Sequence, residues 1–249
     1  MIQLRPAIAT DLSGILAVWW ATEPEPGEPN PWFGHVLATG EMAVACDGDR
    51  IVGFAGHRRF AQTSVLSDCF VTPEYQGQGI GFRLLEFVLP QGEPLMTLAG
   101  AHPAAQALYR KFGMKPVAAC PYVRATSEQR PLEVRPTDSY PAPTADVAHL
   151  VNDFAGQCVA VGKTSVAIVT KSAIETSIVG PEDEAAEVLS SLLEFVGGSV
   201  ELQLSEQHRG YGGFSWNEFD RDTLMASPGA QIPDDRRITF NGDLLEIGY

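Results

Sequence analysis

The chain is poor in positive charge. Seventeen Lys and Arg stand against 31 Asp and Glu, a formal charge of −14 over 249 residues. A phosphate backbone is held by clustered Lys and Arg, and no such cluster occurs, so nucleic acid is excluded as a partner. No run approaches the ~18 consecutive apolar residues that a membrane span needs. The N-terminus enters a strand almost at once, which leaves no signal peptide. These absences place the chain in the cytoplasm, away from a membrane.

Cysteine is scarce as well. Cys46, Cys69, Cys120 and Cys158 are widely spaced, and three of them lie in apolar, strand-like surroundings that suit buried thiols. No Cys/His cluster has zinc spacing, so no metal is expected. Two nucleotide signatures are missing too. A dinucleotide loop would read G-x-G-x-x-G with an acidic residue after a second strand, and the order here is G-x-G-x-G. The lone Gly162-Lys163-Thr164 has Gly156 one residue too far upstream for a P-loop and no amphipathic helix behind it.

What is present is a folded, mixed chain, 45% apolar with mean hydropathy near zero. Its length suits one large domain or two ordinary ones. Residues 2–6 alternate like a strand. Thr10 can cap a helix over 11–20 with Leu12, Ile15, Leu16 and Trp19 on one face. Residues 42–46 and 51–58 read as strands joined at Asp47-Gly48-Asp49, a strong hairpin signal. A strand over 66–71 leads through Pro73 and a glycine-rich loop into a helix over 79–89, with Ile80, Leu84, Leu85 and Val88 inward. Residues 95–98 form the next buried strand. The loop is the most informative feature, because unpaired N–H groups and partial positive charge at a helix N-terminus make a seat for phosphate.

Gln76-x-x-Gly79-x-Gly81, placed after that strand, resembles the pyrophosphate loop of the GNAT superfamily of acetyl-CoA-dependent N-acetyltransferases. A second segment, 102–114, is similar to the family's other diagnostic helix: Ala105, Leu108, Tyr109, Lys111 and Gly113 fall in register, while His102 stands where Asn is usual and Met114 where Phe is usual. Pro103 suits a first helical turn and Gly113 a left-handed C-terminal cap. The resemblance implies an α/β fold, an α+β mixed sheet in the order βα(α)ββ-β-α-β-α-ββ, splayed near its middle where the cofactor's pantetheine inserts.

It also implies roles. Main-chain amides of Gly77, Gln78, Gly79, Ile80 and Gly81 would hold the pyrophosphate, with Gln76 shaping the loop. The backbone of Cys69, Phe70 and Val71 would pair with the pantetheine, and the amide near Cys69 would polarise the thioester carbonyl. His102 and Ala105 fall on the cofactor side. Gly79 and Gly81 could instead be ordinary turn and packing glycines. Tyr109 is the candidate general acid toward the departing thiolate, against a plain core tyrosine. For the base, Asp68 is the nearest acid on the strand, with His57, His102 or a water relay as alternatives. No cysteine nucleophile is required.

A proline-rich linker over 126–146 separates residues 1–125 from 147–249, and Leu132–Val134 could add an edge strand to the first domain. The C-terminal part repeats the first in reduced form, as a smaller, degenerate GNAT-like α+β domain: paired strands at 165–170 and 173–179, a helix with Pro181 near its start that ends at Gly197-Gly198, a strand over 200–204, then Gly213-Phe214. Where the glycine loop should be stands Gly180-Pro181-Glu182-Asp183-Glu184. A missing donor and three carboxylates in the first turn would repel a pyrophosphate, so only the first domain should bind CoA. A lid over the acceptor or a homodimer surface is the alternative use of the second. Residues 19–35, with three tryptophans and Glu23, Glu25 and Glu28, either recognise an amine with an apolar body or pack helix onto sheet. The expected activity is acetyl transfer from acetyl-CoA to a small amine or a peptide amine. A non-catalytic CoA-binding module and a transferase for longer acyl groups are the competing readings.

Overall fold

The computed structural model describes residues 1–22, 31–60, 62–141, 144–204, 214–232 and 237–240. These separate into two compact units, the first built from Met1–Thr97, Pro103–Lys115 and Ala226–Gln231, the second from Leu98–His102, Pro116–Met225 and Ile232–Tyr249.

In the first unit, β1 (Gln3–Pro6), β2 (Glu41–Asp47), β3 (Arg50–Phe60) and β4 (Thr63–Val71) form an antiparallel run in that order, and β5 (Leu95–Ala99) joins β4 in parallel. Gly48, at φ 57, makes the tight β2–β3 turn that the sequence predicts. Helix α1 (Leu12–Thr22) buries Ile15 and Val18, a face rotated from the expected one. Thr10 does not cap it. The chain before it forms a short 3-10 turn, where the Ile8 N–H donates to Asp11 Oδ2 at 2.9 Å and the Arg5 guanidinium grips both Asp11 oxygens at 2.6 and 2.8 Å.

Helix α2 (Trp32–Thr39) is the bracketed second helix of the order that the resemblance implies, although no residue pattern marks it. It buries Trp32 and Phe33, and Phe33 packs edge-on against Trp19 at 5.7 Å and Phe54 at 5.2 Å. These aromatics are core, so the packing reading of that segment holds for them; Glu23, Glu25 and Glu28 lie outside the described residues. Helix α3 (Ile80–Val88) buries the four apolar residues expected of it, and α4 (Pro103–Lys111) is followed by Gly113 at φ 81.

The second unit carries β6 (Lys115–Thr126), β7 (Val134–Pro136), α5 (Thr144–Asp153), β8 (Gln157–Val161), β9 (Ser165–Val169), β10 (Ile174–Ile178), α6 (Ala185–Val196), β11 (Val200–Leu204), β12 (Ser215–Ala226) and β13 (Arg237–Phe240). Its strands run in the order β12-β6-β11-β13-β10-β9-β8-β7. The edge strand foreseen at Leu132–Val134 is β7, and it pairs with β8 rather than with the first sheet. A core of Val188, Leu189, Leu192 and Leu193 on α6 against Val159, Val161, Ala167, Ile174 and Leu202 holds this unit together. Each Val, Leu and Ile among them contributes ~1.5–3 kcal/mol by leaving water. Helix α6 ends at Gly197, φ 77, as its Gly-Gly predicts, but it starts at Ala185. Gly213 lies outside the described residues.

Candidate active site

Strand β4 is where the first sheet opens. It pairs with β5 only at Ser64↔Leu95, Val65↔Met96 and Leu66↔Thr97. The Thr97 hydroxyl donates to the Leu66 carbonyl at 2.9 Å, closing the last rung. One residue later Ser67 bulges: Leu66 faces His57 and Asp68 faces Gly56, so Ser67 is surplus, and its hydroxyl donates to the Gly56 carbonyl at 3.0 Å. A bulge bends a strand and sharpens its twist, and here it falls where β5 departs. From Ser67 to Val71 the side of β4 away from β3 has no strand beside it among the described residues.

Which groups line that open edge follows from pairing parity. The Thr72 N–H donates to the Val52 carbonyl at 2.9 Å, so Thr72 and Phe70 face β3 with both main-chain groups, while Cys69 and Val71 face outward. Of the three residues expected to meet a pantetheine, Cys69 and Val71 therefore present the edge. Phe70 pairs with Phe54, its ring 5.5 Å from that residue's. The Val71 carbonyl accepts from Gln76 Nε2 at 2.9 Å. That leaves the Cys69 N–H and C=O and the Val71 N–H as the free edge groups, and it gives Gln76 its loop-shaping contact.

Beyond Val71 the chain makes a 3-10 turn, Pro73–Tyr75, and then the glycine loop. Gly77 and Gly79 lie at φ 73 and 76, the left-handed region, with nothing within 4 Å of an added Cβ. Their requirement is conformational. Gly81 differs: a Cβ there would come within 3.3 Å of the Leu108 side chain, so it lets α3 and α4 approach. The first helical bond is Arg83 N–H to the Gly79 carbonyl at 3.1 Å. The N–H groups from Gly77 through Phe82 precede it and meet no acceptor among the described residues. Six unpaired donors at a helix N-terminus form an anion seat. Gln78 Nε2 ties the loop to the Glu74 carbonyl at 3.1 Å.

A latch that composition does not reveal fixes the turn to the β2–β3 hairpin. The Tyr75 hydroxyl donates to Asp47 Oδ2 at 2.9 Å, and Arg50 pairs with Glu74. The hydrogen bond from Tyr75 draws the Asp47 carboxyl below its ordinary range. Glu74 is drawn down by its own backbone N–H and by Arg50. The sequence signal was available, since Asp47, Arg50, Glu74 and Tyr75 all flank recognisable turns, but their pairing is long-range.

The candidate catalytic side chains are placed as follows. Cys69 is half-buried, and burial, reinforced by the neighbouring Asp68 charge, pushes its thiol up to about 12. A thiol held that high is no nucleophile at neutral pH. Asp68 is buried, just past the bulge. His57 is 4% exposed and its ring nitrogens have no hydrogen-bond partner among the described residues. Burial holds it below the ordinary imidazole range, with Glu41 at 3.9 Å offsetting this in part. It sits opposite Leu66, one rung before the open edge begins. Tyr109 is buried on α4, Ala105 half-buried on the same helix, and His102 exposed just ahead of it. A groove of about 350 Å³ between α1 and the start of β3, lined by Arg5, Asp11, Gly14, Ile51 and Thr72, lies apart from the glycine loop. The open edge and the unpaired amides mark the site better than that hollow does.

The corresponding region of the second unit differs in chemistry. Asp183 does not sit in the first turn of α6. Its carboxylate folds back onto the β8–β9 turn and accepts from the N–H groups of Lys163, Thr164 and Ser165 at 3.0, 2.8 and 2.9 Å and from the Thr164 and Ser165 hydroxyls at 3.1 and 2.8 Å. Burial raises its pKa, but these donors outweigh burial and bring it to about 2. Glu184 takes the N-cap position and Glu187 supplies the acid of the first turn. The expected three-carboxylate turn is thus corrected to one carboxylate in the turn and one at the cap.

Residues 38–116 match the family model described as the acetyltransferase (GNAT) domain. A mycothiol acetyltransferase of Rhodococcus opacus (strain B4) is 41% identical over 78 residues. That match spans 28% of this chain and 24% of the relative's length. An acetyltransferase-like protein of Pyrococcus horikoshii superposes with a TM-score of 0.78 over 99% of this chain and 96% of its own, at 15% identity. A GCN5-related N-acetyltransferase of Sphaerobacter thermophilus gives 0.61 over 92% and 97%, at 14% identity. At such identities the structures speak for the fold alone: a mixed α/β sheet of the GNAT type. No helix among the described residues is long and apolar enough to cross a membrane.

Proposed function

We propose, from the match of residues 38–116 to the acetyltransferase (GNAT) domain model, that the chain transfers an acetyl group from acetyl-CoA to a primary amine. The observation that carries this reading is the conjunction of the open β4 edge with the unpaired amides of residues 77–82. The amides seat the pyrophosphate, with Gly79 permitting the turn. The Cys69 C=O and the Val71 N–H continue the sheet onto the pantetheine as an added strand, which keeps the Cys69 N–H for the thioester carbonyl. His102 and Ala105, ahead of and within α4, belong to the cofactor side in the same reading.

The chemistry is direct transfer. The amine nitrogen attacks the thioester carbonyl carbon, and the developing oxyanion meets the Cys69 N–H. Collapse breaks the carbon–sulfur bond, yielding an amide and a CoA thiolate. Tyr109 gives that thiolate a proton, and the proton leaving the amine goes to Asp68 or through water to solvent. The Cys69 side chain takes no part. Catalysis is assigned to the first unit, and the second, which takes in β7 and α5 of the 126–146 stretch, works without a cofactor loop. An acidic surface suits a cationic amine, small or peptide-borne. Cytoplasmic residence and a possible homodimer belong to the same proposal and are checked by fractionation and by mass from light scattering.

The test is calorimetry with acetyl-CoA, followed by turnover on a panel of amines. One equivalent bound and one or more amines acetylated support the reading; no heat overturns it. Tyr109→Phe is expected to lower kcat by about 100-fold while leaving acetyl-CoA affinity unchanged. Binding without turnover on any amine assigns the chain to CoA-binding modules instead. Faster turnover with propionyl- or butyryl-CoA would reassign the donor.

A further inference from the structure

The second unit repeats the first one's strand plan. Its antiparallel run β7, β8, β9, β10 is followed by α6 and then β11, as β1 to β4 is followed by α3 and then β5. Strand β11 also begins beside its counterpart in parallel: Ala173 bridges Glu201, and the Glu201 N–H donates to the Ser172 carbonyl at 2.7 Å. Past that point β10 and β11 separate, as β4 and β5 do past Leu66 and Thr97. The gap is filled. Strand β13 runs between them, antiparallel to both, with Ser177↔Thr239 and Ile178↔Arg237 on one side and Gln203↔Phe240 and Leu204↔Thr239 on the other. Thr239 stands opposite a residue of each neighbour.

We infer that the second unit holds a vestigial acyl-CoA slot sealed in cis by the chain's own segment Arg237–Phe240, so that each chain takes up a single cofactor. The inference rests on the acetyl-CoA reading of the first unit and adds the identity of what occupies the second. An extended peptide and a pantetheine arm compete for the same main-chain donors and acceptors at a strand edge. On β10 those groups face β13. The helix that follows supports the assignment independently, since Pro181 has no N–H to offer, Glu184 caps α6 and Glu187 lies in its first turn. Neither the arm nor the diphosphate of a cofactor has a place to bind there.

Two measurements on the full-length chain test this. Calorimetry with acetyl-CoA is expected to give one equivalent. Hydrogen exchange is expected to show protected amides over 174–178, 200–204 and 237–240, unchanged by saturating acetyl-CoA. Thr239→Pro, which removes a main-chain N–H from β13 and places a ring where the strand lies between two neighbours, is expected to speed exchange over 174–178 and 200–204 by at least about 10-fold, with one equivalent still bound at unchanged affinity. Two equivalents in the unaltered chain, or loss of protection over 237–240 on adding acetyl-CoA, would overturn the inference. So would Thr239→Pro leaving 174–178 and 200–204 untouched. Zero equivalents would sink the acetyl-CoA reading instead, and the exchange data would still decide whether β13 seals the gap.

Discussion

Strands β4 and β10 stand at the same place in two units of similar strand plan, and each has a helix after it and a parallel partner beyond. On β4 no described strand covers the outer edge from Ser67 onward, and the helix opens on glycines at φ 73 and 76. On β10 the outer edge is covered by β13, and the helix opens on Glu184. Backbone geometry is shared; the electrostatics at the helix start and the supply of unpaired amides are not. The difference teaches that a cofactor site of this kind resides in what is left unpaired. Fold alone does not confer it.

The comparison can be broken most severely by giving the first helix the second one's chemistry. Gly79→Glu combines a strained left-handed backbone with a carboxylate facing the diphosphate seat. A loss of acetyl-CoA affinity of about 100-fold, ~2.7 kcal/mol, is expected by calorimetry. Unchanged affinity would mean the amides of 77–82 do not hold the cofactor.

The second unit has its own anion seat, filled from within by Asp183. Asp183→Ala leaves three N–H groups of the 163–165 turn without that acceptor and should cost roughly 1–3 kcal/mol in denaturant unfolding. The pH dependence has a definite sign. The folded pKa, about 2, lies below the ordinary 3.8, so this carboxylate stabilises fully above pH 3.8 and its contribution fades as pH falls toward 2. The alanine variant should therefore lose less stability than the parent over that window. Equal acid sensitivity would sink the assignment.

The smallest effect is expected at Cys69, where the proposed mechanism uses only the backbone. Cys69→Ala should keep kcat within about 3-fold, and the parent thiol should react with iodoacetamide slowly through pH 9, since its pKa is about 12. A collapse in turnover would return the side chain to the mechanism.

Much of the first unit was legible in order. The Asp47-Gly48 turn, the glycine loop, the apolar face of α3 and the Gly113 cap all depend on interactions within a few residues, and such signals survive in a one-dimensional reading. The rest depended on distant partners. Nothing near Ser67 announces a bulge, because the count of residues on β3 decides it. Nothing near Arg237 announces a strand between β10 and β11. Asp183 read as a helix-start acid until the turn at 163–165, eighteen to twenty residues back, claimed it. Trp32 stayed open between a ligand and a packing role because its helix, α2, lies within a proline-rich stretch that hides periodicity. At the candidate site the loop was read residue by residue, whereas the division of labour among Cys69, Phe70 and Val71 required the parity set by Thr72 and Val52.

Ser67 carries one more consequence. Since Asp68 through Val71 keep their partners Gly56 through Gly53, excising the odd residue would leave the identity of the outward amides as it is and straighten only the course of the strand. What the edge offers and where it points are thus written in separate places, the first in the β3 ladder and the second in a single uncounted serine. A lineage could redirect that edge at this one position and leave its free main-chain groups unchanged.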